Sequence, residues 1–217
     1  MGEEKIDSPQ WRIRSRSRIV ARMTKTLVGA AMLVLAVAPV LAAESAGPPD
    51  PFIGQHIPAF TAQAVDLAVD PPRTTTFDSS KANGPVAYIF VGVTCPATNA
   101  YADRFKQLAQ TYRKKGVDFV FLYPNRNDTS EAKRDFHTSK QLGGRMIDDQ
   151  GGKLAQAFRA QRTSELFLAD KQGTIVYHGA VDDSRDPNTV KQHYLADALD
   201  QLLAGKPIAT PASQVFA

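Results

Sequence analysis

Cys95 is the only cysteine in this 217-residue sequence. The chain therefore cannot close a disulfide on itself, and any cross-link through sulfur needs a second molecule. Tryptophan is equally scarce at one residue, and there are four histidines. His56, His137, His178 and His193 lie far apart without ligand spacing, which argues against a structural zinc site. No repeat of fixed period recurs, so there is no solenoid or propeller pattern. An excess of one charge is also missing once the first 43 residues are set aside. They carry 7 of the 26 Lys+Arg and 3 of the 22 Asp+Glu, which leaves 19 of each sign in the remainder. A near-neutral body gives no electrostatic footprint for nucleic acid or for an acidic membrane surface.

The first 43 residues read as a leader. An arginine-rich polar stretch runs to Arg22, followed by Met23-Thr-Lys-Thr, an apolar run from Leu27 and a small-residue end at Ala42-Ala43. Basic start, apolar middle and small-residue end are the three parts of a secretory signal peptide. Cleavage is expected after Ala42 or Ala43, and translation starts at Met1 or Met23. The apolar run is short for a membrane span, and no stop-transfer charges follow it. An uncleaved N-terminal membrane anchor is the alternative. No cysteine at the cleavage point supports a lipid anchor, and there is no adjacent arginine pair of the twin-arginine type. The mature protein is thus expected in the periplasm or secreted, without stable membrane insertion. A lone thiol is unusual in such an oxidising compartment.

Residues 44–51 are small, polar and proline-rich, and read as a linker. Residues 52–208 fit one compact domain, followed by a tail at 209–217. Short strands are expected near Phe60 and over Thr74–Phe77. Val86–Val91 is a continuous apolar, β-favouring run, the mark of a strand buried on both faces. It leads through Gly92 and Thr94 into a helix whose Tyr101, Phe105, Leu108, Ala109 and Tyr112 share one face. Lys114-Lys115-Gly116 stops that helix, and Val117–Tyr123 is a second buried strand. A helix through Phe136 to Leu142, an extended piece at Met146-Ile147 and a short helix over Lys153–Phe158 follow. Leu166–Ala169 and Thr174–His178 form a hairpin around Asp170–Gly173, and a last helix spans about Thr189–Ala204. The order β-α-β implies a parallel crossover, and the late pair an antiparallel hairpin on the same sheet.

Cys95 falls where the buried strand becomes helix, with Pro96 at the first helical position, where a missing N–H costs nothing. Unpaired backbone N–H groups at a helix N-terminus favour thiolate over thiol, and the thiolate is the nucleophile. A small buried hydrophobe is the plainer role for a free cysteine, but the position favours the reactive one. The remaining candidates read as structural: Asp182-Asp183 with Arg185 as a loop cap, His178 as a structural or surface residue, Tyr101 as core and Arg113-Lys114-Lys115 as a solvated helix end.

From Ile53 to Ile208 the chain resembles the redoxins, the peroxiredoxin-like branch of the thioredoxin-like superfamily. The resemblance is carried by Ile57-Pro-Ala-Phe60, Phe90-Val-Gly-Val-Thr-Cys95-Pro96, Met146-Ile-Asp-Asp149, Arg162-Thr-Ser-Glu-Leu-Phe-Leu-Ala-Asp170 and Gly173-Thr-Ile-Val-Tyr-His-Gly179. It implies an α/β thioredoxin-like fold, a central mixed sheet flanked by helices, with Cys95 as nucleophile. The chain departs from the pattern where the chemistry is set. Dithiol oxidoreductases carry Cys-x-x-Cys, and here the fourth residue is Thr98. Peroxiredoxins carry a hydroxyl residue three before the cysteine, and here that residue is Gly92, with Thr94 adjacent to Cys95 instead. The family's cis-proline after a threonine is replaced by Ser164 after Thr163, for which a trans bond is expected. Arg162 resembles the arginine that stabilises the thiolate and the peroxide.

The candidate site is therefore Cys95, Thr94, Thr98 and Arg162, with no cofactor and no metal implied. Without a second cysteine, Cys95 needs an external thiol to resolve a mixed disulfide. The leading expectation is an exported single-cysteine redoxin that reduces a peroxide or a partner disulfide. Its partners would be a thiol reductant or a protein disulfide. The alternative is a non-catalytic thioredoxin-like binding module that has lost the resolving cysteine and the proline. A metal-holding variant would need a second soft ligand, and none is visible in the sequence.

Overall fold

The computed structural model describes residues 49–215. The expected leader, and all but the end of the expected linker, lie outside that range. Seven strands form one sheet: β1 (Thr61–Asp66), β2 (Arg73–Asp78), β3 (Val86–Phe90), β4 (Asp118–Tyr123), β5 (Arg145–Asp148), β6 (Leu166–Ala169) and β7 (Ile175–Gly179). Four helices pack with it: α1 (Pro96–Tyr112), α2 (Ser130–Ser139), α3 (Lys153–Phe158) and α4 (Tyr194–Leu203). The spatial order is β2-β1-β5-β4-β3-β6-β7. β3 pairs parallel with β4 and antiparallel with β6, and β6 pairs antiparallel with β7, so the crossover and the late hairpin are both present. β5 adds parallel to β4 and antiparallel to β1, which carries β2 as the far edge. No helix among the described residues is long and apolar enough to cross a membrane.

β3 is buried along its whole length. Because successive strand side chains point to opposite faces, Ala87 and Ile89 join the core under α1 and α4, while Val86, Tyr88 and Phe90 join the other. That second face is aromatic: Phe158 touches Tyr88, Phe90 and Phe167 at ring distances of 5.2–5.5 Å. The helical stripe predicted on α1 is the buried one, with Tyr101, Phe105, Ala109 and Tyr112 inside. α1 then tightens into a 3₁₀ turn over Arg113–Lys115 and stops at Gly116, whose φ of 87° suits glycine.

Two elements differ from the sequence expectation: α2 ends at Ser139 rather than running to Leu142, and the last helix starts late. The last helix begins at Tyr194 rather than near Thr189. Asp186 and Asp183 accept the backbone N–H groups of Asn188 and Lys191, both at 2.9 Å, and hold that stretch as loop. The tail is not free of the domain. Ala212 bridges His178 in parallel, and the Ser213 hydroxyl bonds the Tyr177 hydroxyl at 2.7 Å and accepts the Ala180 N–H at 2.9 Å. The tail thereby covers the open edge of β7.

Candidate active site

The chain leaves β3 through Val91, Gly92, Val93 and Thr94 and reaches Cys95, the N-cap of α1, with Pro96 at the first helical position. The Cys95 carbonyl accepts the first helical bond from Asn99 at 3.0 Å. The Asn99 side-chain amide donates to the Val93 and Cys95 carbonyls, both at 3.1 Å. From the opposite side, Asp128 Oδ2 accepts the Val93 N–H and the Asn125 amide, both at 3.2 Å. The turn that presents the sulfur is thus held from both ends.

Cys95 Sγ is half-buried and accepts a hydrogen bond from the Thr163 hydroxyl at 2.8 Å. Burial alone pushes the thiol up. The Thr163 hydroxyl, the N–H and hydroxyl of Thr98 and the N–H of Ala97 outweigh it, so the thiol ionises below its ordinary range. Two of these donors are backbone groups of the first helical turn, as expected at a helix N-terminus.

Thr98, at the position of a second thiol, is fully buried. Its hydroxyl accepts the Gly92 N–H at 3.3 Å and shares a hydrogen bond with the Ser164 hydroxyl at 3.3 Å. The residues standing in for the second cysteine and for the proline are therefore bonded to each other. The Thr163–Ser164 bond is trans, as expected. Ser164 adopts a positive φ of 68° and donates its N–H to the Phe90 carbonyl at 2.5 Å, tying this loop to the end of β3.

The hydroxyl residue that the peroxiredoxin pattern puts at position 92 would displace the Asn125 side chain here. A Cβ would lie 2.7 Å from Asn125 Nδ2, 3.3 Å from Thr163 Cγ2 and 3.5 Å from Cys95 Cβ. Thr94 is exposed on the turn, while the side chain that hydrogen-bonds the sulfur is Thr163. Arg162 is not brought to the sulfur. It is exposed, and its guanidinium donates to the Val215 carbonyl at 3.1 Å. The turn over Arg162–Ser164 aims the Thr163 hydroxyl at Cys95 and leaves the Arg162 guanidinium against the tail. Of the four sequence candidates, Cys95 and Thr98 meet.

Sequence reasoning passed over Thr163, whose signal was its place immediately before the residue that replaces proline. It also passed over Asn125 and Asp128, which carried no signal beyond turn chemistry, and over Glu165. His178 is buried rather than at the surface. Its Nε2 faces Glu165 Oε1 at 2.9 Å and its Nδ1 faces Asp50 Oδ2 at 2.8 Å. Asp182 pairs with Arg104 at 2.7 Å and Asp183 caps its own loop, in line with their structural reading. Tyr101 is core. Among the described residues no group of three or more metal-ligating side chains is gathered.

A mixed sheet with a cysteine capping the helix after its central strand defines a thioredoxin-like fold. The redoxin profile matches residues 53–194, and the chain belongs to the redoxin family. Among solved structures it is similar to an uncharacterised conserved protein from Geobacillus kaustophilus, at 24% identity and TM-score 0.64 over 75% of this chain and 87% of that one. A hypothetical protein from Sinorhizobium meliloti 1021 matches at 24% identity and TM-score 0.64, over 75% and 89%. A putative thiol:disulfide interchange protein DsbE from Chlorobium tepidum matches at 15% identity and TM-score 0.53, over 70% and 96%. These likenesses establish the fold. No curated protein matches the sequence.

Proposed function

We propose that this redoxin is an exported single-thiol oxidoreductase that reduces disulfides through Cys95 with an external resolving thiol. The observation that carries the reading is the 2.8 Å hydrogen bond from the Thr163 hydroxyl to Sγ at a helix N-terminus. Both features favour the thiolate. In the first step the Cys95 thiolate attacks a partner disulfide R–S–S–R′. The S–S bond breaks, R′–S⁻ leaves, and Cys95–S–S–R forms. An external thiolate R″–S⁻ then attacks the Cys95 sulfur and releases R–S⁻, leaving Cys95–S–S–R″. A second R″–S⁻ attacks the R″ sulfur, releases Cys95 as thiolate and leaves as R″–S–S–R″. The electrons that reduce the partner come from the external thiol. A low thiol pKa makes Cys95 a good leaving group in the last step as well as an ionised attacker in the first.

A disulfide is favoured over a peroxide as the oxidant. Position 92 is Gly rather than the hydroxyl residue of the peroxiredoxin pattern, and Arg162 is bonded to the tail rather than aimed at the sulfur. The binding-module reading draws on the Thr98–Ser164 bond, which closes the positions of the two lost groups. Alkylation rate against pH separates the two. The oxidoreductase reading expects an inflection well below the ~8.5 of a free cysteine, a mixed disulfide detectable by mass, and loss of disulfide reduction in Cys95→Ser. An inflection at or above the free value, with negligible alkylation of the folded protein, selects the binding module. Export rests on the leader-like residues 1–43. N-terminal sequencing of the exported protein should begin after Ala42 or Ala43, and a cytosolic product retaining residues 23–43 would refute it.

A further inference from the structure

The loop that carries Thr163 lacks the proline that would stiffen it, so something else must hold it. The Glu165 carboxylate does so. Its Oε2 accepts the backbone N–H of Gln161 at 2.7 Å and of Arg162 at 3.0 Å, closing the turn immediately before Thr163. Its Oε1 faces His178 Nε2 at 2.9 Å, and the other ring nitrogen faces Asp50 Oδ2 at 2.8 Å. Two ionised carboxylates can only accept, so satisfying both ring nitrogens requires two N–H groups, that is, an imidazolium. The ring packs against both Phe52 and Phe167, at 4.5 and 4.6 Å, and the two phenylalanines touch each other at 5.2 Å. The charged groups around it are Asp50 from the leading segment, Glu165 from β6's approach and Arg162. Among the described residues the tail contributes Ser213, Gln214 and Val215 to the cavity of about 240 Å³ that Arg162, Glu165 and His178 also line.

We propose that Glu165 is a positioning residue for the thiol site, fixing through its two backbone hydrogen bonds the loop from which Thr163 donates to Cys95. His178, bridged to Asp50, holds the carboxylate in place. Glu165 does not touch the sulfur and acts through Thr163. The proposal rests on the reading of Cys95 as a working thiolate.

The test compares the iodoacetamide pH profile of Cys95 in the full chain with Glu165→Gln, Glu165→Asp and Thr163→Val. Gln keeps the length and an acceptor for the loop while removing the charge. Asp keeps the charge but is one methylene too short to reach both N–H groups and His178. Positioning predicts a Gln profile near wild type and an Asp inflection raised as far as in Thr163→Val, with no further rise in the Asp/Val double variant. A through-space charge effect predicts the reverse, Asp near wild type and Gln moved, and overturns the proposal. Additive rises in the double variant also overturn it. If Glu165→Asp does not fold, Thr163→Val is combined with Glu165→Ala at low temperature, and the same additivity criterion applies. A wild-type inflection that is not lowered takes down the thiolate reading itself. A lowered wild-type inflection that Glu165→Asp leaves in place defeats the positioning role alone.

Discussion

The sulfur of Cys95 is governed by one side-chain hydroxyl and a few groups of the first helical turn. Hydrogen bonds to a charged partner are worth about 1.5–3 kcal/mol, and one pKa unit is about 1.4 kcal/mol. Thr163→Val, which keeps the shape and removes the donor, should therefore raise the alkylation inflection by about one to two pH units. Thr163→Ser, which restores the hydroxyl, should recover most of that. Arg162→Ala should leave the inflection within about 0.2 unit, the scale of a distant exposed charge screened by salt, because its guanidinium is spent on the Val215 carbonyl. The cysteine and its helix N-terminus were legible from the apolar run, Pro96 and the helical stripe, all local patterns. The direction of Arg162 was not. Adjacency in sequence does not fix which way a residue in a turn points, and the decisive contact came from the neighbour 68 positions beyond Cys95.

At the scale of elements, the β3–α1 connection is a turn with no spare volume. Gly92→Ala would drive a methyl to 2.7 Å from the Asn125 amide, so Asn125 must shift and its bond to Asp128 with it. That bond shares an acceptor with the Val93 N–H. The variant should lose about 1–3 kcal/mol, as overpacking typically costs. It should also alkylate more slowly at Cys95, as read from denaturant midpoints and from the rate at a fixed pH. Strands and helices with a strong period were readable in advance, including the β-α-β crossover and the hairpin strand read as Thr174–His178 and found at Ile175–Gly179. The start of α4 was not, because Asp183 and Asp186 divert backbone N–H groups that periodicity counts as helical. Nor did the sequence reveal that β5 joins β4 to the β1–β2 hairpin, since pairing partners leave no local mark on so short a strand.

For the whole molecule, the His178 bridge ties the leading segment at Asp50, the approach to β6 at Glu165 and the edge strand β7 into one unit. Burial pushes the His178 pKa down, but the hydrogen bonds and charges of Glu165 and Asp50 outweigh it, so the value lies above the ordinary 6.5. A group whose pKa is raised in the folded state contributes stability that is complete below the unfolded value and fades as pH climbs through the folded one. The urea midpoint should therefore fall as pH rises from about 6.5, and His178→Gln should flatten that segment of the profile. An unchanged slope in the variant would show that the bridge carries no such linkage.

Thr98 in place of a second sulfur has one more consequence. A dithiol protein stores an electron pair internally, and its oxidised form is the same chain minus two hydrogens. This chain cannot do so: every disulfide-oxidised form of Cys95 is an adduct that includes another molecule. Its redox poise then carries units of concentration and shifts on dilution or with the supply of partner thiols. It is measured by the mass of what hangs on Cys95 rather than by a single midpoint potential.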